Sequence, residues 1–106
     1  MVKNILTEAG FEINKTFKET RFLKPPKTSY CIYLDNFTRR GGDSVNLIKD
    51  HDYTIELYSY TIDLEAENNI EQSLDIYGFE YDKSERFWLD SEQLYQIIYT
   101  FNYIEK

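Results

Sequence analysis

A chain of 106 residues has room for one domain, 1–106, and not two. Asp+Glu 19 against Lys+Arg 12 gives a formal charge of −7, which argues against nucleic-acid binding through a basic, phosphate-neutralising patch. Cys31 is the only cysteine, which excludes an intrachain disulfide and points to a reduced, intracellular place of folding. The polar opening Met1-Val-Lys-Asn-Ile-Leu-Thr-Glu8 does not read as a signal peptide, and no apolar run is long enough to span a bilayer.

In chain order, Val2, Ile5, Leu6 and Ala9 share one face of a short helix, and Gly10 stands where a C-terminal cap belongs. The stretch 11–22 is strongly polar around Phe11, Ile13 and Phe17 and reads as an extended connection of weak strand character. Pro25-Pro26 punctuates the chain, because each proline removes an amide donor and pushes the residue before it out of the helical region. From 28 to 34, Tyr30, Ile32 and Leu34 alternate with Cys31 and Tyr33, which is a strand. Gly41-Gly42 marks a tight turn beside Arg39 and Arg40. From 53 to 58, Tyr53, Ile55 and Leu57 alternate with Thr54, Glu56 and Tyr58, the signature of a half-buried central strand. The spacing thus predicts a long antiparallel hairpin made of 28–38 and 44–60.

The period then changes. Leu64, Ala66, Ile70, Leu74 and Tyr77 lie on one helical face, Asp63 is an N-cap, and Gly78 closes the helix. Residues 79–83 and 86–89 read as strand fragments, or one bent strand. The last strand, 94–104, puts Tyr95, Ile97, Tyr99, Phe101 and Tyr103 on one face and Gln96, Ile98, Thr100 and Asn102 on the other. The expected fold is α+β: an antiparallel sheet of about four main strands packed by two helices, in the order α-β-β-α-β-β. The two helices offer only about nine apolar positions, so part of the sheet face is expected to be left for a neighbouring subunit to cover.

Few residues suggest chemistry. On a strand, Asp50 and Asp52 share one face while His51 points to the other, so the three cannot converge on a metal; a solvated strand end is expected. Cys31, between Tyr30 and Ile32, reads as a buried apolar thiol without a placed base. Gly41-Gly42 lacks the Gly-Lys-Ser/Thr ending of a phosphate loop. The acidic helix reads as a solvated face. No constellation supports an enzyme, and neither a cofactor nor a metal is expected.

Three stretches, taken in order over about 24–103, carry a resemblance. They are Lys24-Pro-Pro26 with the strand leading to Asp35-Asn36-Phe37; Tyr53-Thr-Ile-Glu-Leu-Tyr58 with Asp63 opening a Glu-rich helix that ends at Gly78; and Phe79-Glu-Tyr-Asp-Lys83 with Ser91-Glu-Gln-Leu-Tyr-Gln-Ile-Ile-Tyr99. Together they resemble the small tail terminators, also called tail completion or head–tail joining proteins, encoded in the morphogenesis modules of tailed phages and prophages of Gram-positive bacteria. The chain departs from that pattern at Thr38-Arg39-Arg40-Gly41-Gly42 and at Leu64, where the family commonly has a proline.

The resemblance implies a structural virion protein. Copies form a ring, often a hexamer, that caps the tail tube and joins it to the head connector or head-closure protein. DNA passes through the lumen without specific binding, and no membrane is involved. The implied location is the head–tail junction of the virion, reached from the host cytoplasm. The candidate partner-contact residues are Phe37, Arg39, Arg40 and Asp43 at the hairpin tip, and Trp88, expected in the core or at a subunit boundary. Two other readings remain open: a small acidic DNA mimic that inhibits a host enzyme, and a neighbouring connector or head-closure protein.

Overall fold

The computed structural model describes residues 1–40 and 48–105. Among them are helices α1 (Val2–Glu8) and α2 (Leu64–Ile76) and six strands: β1 (Phe17–Glu19), β2 (Tyr30–Arg40), β3 (Ile48–Ser59), β4 (Asp82–Lys83), β5 (Phe87–Leu89) and β6 (Leu94–Glu105). They form one sheet in the order β1-β2-β3-β6-β4, with β5 also paired to β6. The class is α+β, as expected, but the order is α-β-β-β-α-β-β-β and the sheet is mixed.

The difference lies at the two edges. β1 pairs with β2 in parallel, Phe17 opposite Cys31, and the chain returns through 20–29, the segment that holds Pro25-Pro26. A parallel neighbour needs such a crossover. The three residues of β1 are too few to display an alternation, and Lys18 within it and Lys15 and Arg21 beside it mask it. At the other edge, β4 and β5 lie on the same side of β6, and the four steps from Lys83 to Phe87 span only three from Tyr99 to Gln96. This is a bulge. At its centre the Ser84 amide donates to the Ile98 carbonyl (2.9 Å), while Ser84 Oγ accepts from the Ile98 amide (2.8 Å).

The expected hairpin is present. β2 and β3 pair without interruption from Tyr30↔Tyr58 to Arg40↔Ile48, and β3 and β6 from Ser59↔Tyr95 to Lys49↔Glu105. Both registers join residues of like parity, so one rule covers all three long strands. Odd-numbered side chains face the helices and even-numbered ones face away. The core accordingly contains Cys31 and Tyr33, Tyr53, Ile55 and Leu57, and Ile97, Tyr99 and Phe101. Against them pack Val2, Ile5 and Leu6 of α1, Ala66, Ile70 and Leu74 of α2, and Phe17 of β1. Ser73 Oγ donates to the Ile5 carbonyl (2.6 Å) and ties the helices together where water is excluded.

Helix ends follow the sequence signals. The Asp63 carboxylate accepts from the Ala66 amide (3.0 Å) at the start of α2. Gly10 (φ +98°) and Gly78 (φ +78°) carry the chain out of α1 and α2 through the left-handed region, which glycine enters without a Cβ clash.

Two expectations are corrected by packing. The helix-side sheet face is covered within the single chain over its middle, where Tyr53, Ile55, Leu57, Ile97, Tyr99 and Phe101 are buried, while Tyr95 and Tyr103 are only partly buried and Phe37 is 46% exposed. α1, α2, Phe11 and Phe17 cover this middle part, with Phe79 and Tyr81 packed at its border. The acidic helix is also not a purely solvated face, since Glu67 is only 2% exposed. Arg86 grips it through two nitrogens (2.8 and 2.9 Å), and Lys83 donates to Glu67 (3.0 Å) and Glu71 (2.8 Å). Glu71 also accepts from the Tyr99 hydroxyl (2.8 Å). This network fastens α2 to the bulged edge. Burial works against the charge on Glu67, but the hydrogen bonds from Arg86 and Lys83 more than offset it and lower its pKa.

A strand of 12 residues, such as β3 or β6, spans ~40 Å at ~3.3 Å per residue, and the longest dimension of the molecule is 48 Å. The radius of gyration is 14.8 Å, against ~13 Å for a compact domain of this size. The excess reflects the three-stranded ribbon of β2, β3 and β6, the longest strands of the sheet.

Candidate functional site

The ribbon carries the candidate surface. On it, Phe37, His51 and Tyr103 form one cross-strand row. His51 is buried, at 6% exposure, and not at a solvated strand end as its sequence neighbours suggest. Its ring stacks on Tyr53 (5.2 Å, interplanar 8°) and lies 5.3 Å from Phe37 and 5.9 Å from Tyr103, between ring centroids. Asp50 and Asp52 do point to the opposite face, as the alternation requires. They are bridged there by the Asn102 amide, at 2.6 and 2.9 Å.

The partners of His51 come from the flanking strands. Nδ1 lies 2.8 Å from Asp35 Oδ1 on β2, and Nε2 lies 2.9 Å from Glu105 Oε1 on β6. A carboxylate only accepts, so both bonds are made together when both ring nitrogens carry a proton, in the imidazolium form. Burial pulls the His51 pKa down, but the bonds to Asp35 and Glu105 outweigh it, and the net shift is upward. Glu105 is held below the usual carboxylate range, chiefly by its hydrogen bond to His51. One cation thus clamps both outer strands to the central one. Among the described residues no group of His, Cys, Asp and Glu is arranged to hold a metal.

This clamp has a pH signature. A raised His51 pKa contributes stability that is complete below the unfolded value near 6.5 and is lost as pH rises through the folded value. A lowered Glu105 pKa contributes above its unfolded value near 4.5 and is lost as pH falls through its folded one. The clamp is therefore strongest between those two titrations. His51→Ala is expected to cost ~1–3 kcal/mol at pH 6 by removing a buried, stacked ring and its hydrogen bond to Asp35, and less at pH 9. Because His51 is the only histidine, its NMR titration can be followed without ambiguity. A folded pKa at or below the unfolded value would contradict the clamp.

The other sequence-derived contact residues are dispersed. Phe37 is 46% exposed at the ribbon, and Arg39 and Arg40 are the last two residues of β2. The side chains of Arg39 and Arg40, and all of Asp43 with the Gly41-Gly42 turn, lie outside the described residues. Trp88 is 46% exposed and stands against Tyr95 (4.9 Å between ring centroids), with Nε1 donating to Asp90 (3.3 Å). That excludes the core alternative for Trp88. Tyr95 and Tyr103 are eight positions apart on β6, so Trp88 lies ~26 Å along the sheet from the Phe37 row. The two belong to different surfaces. Cys31 is fully buried and its thiol pKa is pushed well up by burial, which fits an unreactive core thiol.

Sequence reasoning missed an open groove of about 710 Å³ beside the free part of β6. The segment Gly78–Asp82 forms one wall, and Asp52, Thr54, Thr100 and Asn102 line the other. Its charged lining residues, Asp52, Glu80 and Asp82, are all acidic. The signal was present as carboxylates recurring around 50–52 and 80–82, but nothing local places those two stretches together.

No described helix is long and apolar enough to cross a membrane. Neither a protein-family model nor a curated protein matches the chain.

Proposed function

We propose that this protein is a structural subunit of a tailed-phage virion, a tail terminator whose copies form a ring, six in number, on the tail tube and join it to the head connector or head-closure protein. The observation that carries the reading is the ordered resemblance of the three stretches over about 24–103. The fold agrees with it in kind: a small α+β domain built on three long strands, β2, β3 and β6. In this reading the chain is not an enzyme, takes no cofactor, and meets DNA only as a passing polymer repelled by a net negative charge. Its partners are its own copies, the tail tube protein and the connector.

The DNA-mimic reading is less well supported by α2. A mimic needs carboxylates free to stand in for phosphates, and Glu67 and Glu71 are engaged by Lys83 and Arg86. The connector reading predicts the same kind of particle with the ring one layer nearer the head.

Trp88, the only tryptophan, gives a direct test. It is half exposed in the single chain, so its emission is expected to be red-shifted and quenchable in the purified protein. In purified particles it is expected to shift to the blue and resist quenching, because a neighbouring subunit covers it. Emission that stays red and fully quenchable in the particle would remove Trp88 from the boundary. Absence of the chain from particles would remove the reading itself.

A further inference from the structure

One ring serves two acceptors. His51 Nδ1 lies 2.8 Å from Asp35 on β2, and Nε2 lies 2.9 Å from Glu105 on β6. A neutral imidazole has a single N–H, so it can donate to only one of these carboxylates. The lone pair of its other nitrogen then points at an anion, and a bond becomes a repulsion. Around the three groups stand Tyr33 of β2, Lys49 and Tyr53 of β3, Tyr103 of β6 and, from the start of α1, the amino group of Met1. Burial, reinforced by Asp35 and Glu105, pushes the Tyr53 pKa up to about 12, so Tyr53 stays neutral while His51 titrates. Lys49 and the amino group act on Glu105 as charges, but neither replaces the lost N–H of the ring.

The two carboxylates are not equally free to leave. The Asp35 side chain is 22% exposed and that of Glu105 46%. Water can replace the ring on a half-exposed carboxylate more readily than on a mostly covered one. Asp35 also lies inside a ladder that continues on both sides of it, from Tyr30↔Tyr58 to Arg40↔Ile48. Glu105 is the last residue of β6, and Lys49↔Glu105 is the last pair of the β3-β6 ladder. Strand ends open at little cost in free energy. Two steps before Tyr103 gives way to Glu105, Asn102 sets a stop. Its side-chain amide donates to Asp52 Oδ1 (2.9 Å) and to the His51 carbonyl (3.2 Å), which ties β6 to β3 on the opposite face. Residues 103–105 are thus the part of β6 that depends on the His51 ring, through the bond to Glu105 and the stacking of Tyr103.

We propose that His51 is a proton-operated latch on the end of β6: protonated, it holds Asp35 and Glu105 together, and on losing its proton it keeps Asp35 through Nδ1–H and releases Glu105, so that residues 103–105 part from β3 while β2 stays paired. Burial of His51 favours the neutral ring, and the two hydrogen bonds more than offset it, so the release falls on the alkaline side of the ordinary value of 6.5. The surface that changes is the row of Phe37, His51 and Tyr103, which is closed in one state and opened at Tyr103 in the other. The latch is a property of the single chain and does not depend on the tail reading.

The test is NMR of the full-length, nitrogen-15-labelled chain as pH is raised through the His51 titration. Backbone order parameters of 103–105 are expected to fall from ~0.85 to below ~0.6, with the same midpoint as the ring. Those of 35–37 are expected to stay high, and the neutral ring to carry its proton on Nδ1. Two isosteric variants separate the latch from ordinary fraying. Glu105→Gln offers Nε2 either an acceptor or a donor, so its strand end is expected to stay ordered after the ring loses its proton. Asp35→Asn can donate to Nδ1, which leaves the one ring proton for Glu105, and the end is again expected to stay ordered. A release driven by the Met1 amino group would persist in Asp35→Asn. Four results overturn the proposal: order at 103–105 that does not follow the ring, loosening at 35–37 instead, a neutral ring with its proton on Nε2, or a release that survives either substitution.

Discussion

Replacing Lys83 and Arg86 together by methionine is expected to destabilise the domain severely. The Glu67 side chain is 3% exposed and accepts from both cations, so the double variant leaves a carboxylate buried with nothing opposite it. Stranding a buried charge in this way costs ~3–5 kcal/mol, out of a total stability of ~5–15 kcal/mol for a domain. Two controls give the number meaning. The triple variant with Glu67→Leu should recover most of the loss, because an apolar trio needs no charge compensation. The penalty should also shrink as pH falls, since the stranded carboxyl can take up a proton and lose its charge. Urea unfolding at several pH values measures both. A double variant as stable as the parent would mean that Glu67 reaches water and that the network does not fasten α2.

Phe17→Ala is expected to cost ~3–5 kcal/mol, the usual range for removing a buried aromatic. Phe17 has no exposed surface and lies 6.3 Å from Tyr33, between ring centroids, in the sheet's helix-side layer. The strand that carries it is only three residues long, so the effect comes from the cavity and not from lost strand pairing. The same change at Ile13, 52% exposed and four residues earlier, should be close to neutral. Thermal or urea unfolding of the two variants side by side checks this. Equal, small losses would place Phe17 outside the core.

The contrast between Phe17 and Tyr53 explains what could be read from the chain. Tyr53, Ile55 and Leu57 announce their burial by alternation, because a strand with one covered face repeats every second residue. Asp63 and Gly78 announce the ends of α2 by chemistry that acts within three or four residues. Phe17 has no such repeat, because β1 is short and sits at an edge. His51 is the sharper case. Its opposite orientation to Asp50 and Asp52 was legible, but its acceptors are 16 and 54 residues away in sequence. The partners of Glu67 are 16 and 19 residues away. Such contacts are products of sheet order and register, which no local pattern encodes. Phe37 and Trp88 were singled out together for their types, and the register separates them along the sheet.

Cryo-electron microscopy of intact particles tests the central claim most directly. A ring of six copies of this chain is expected at the head–tail junction, capping the tail tube and facing the connector. Particles that lack the chain, or the chain recovered instead in a complex with a host enzyme, would contradict the account.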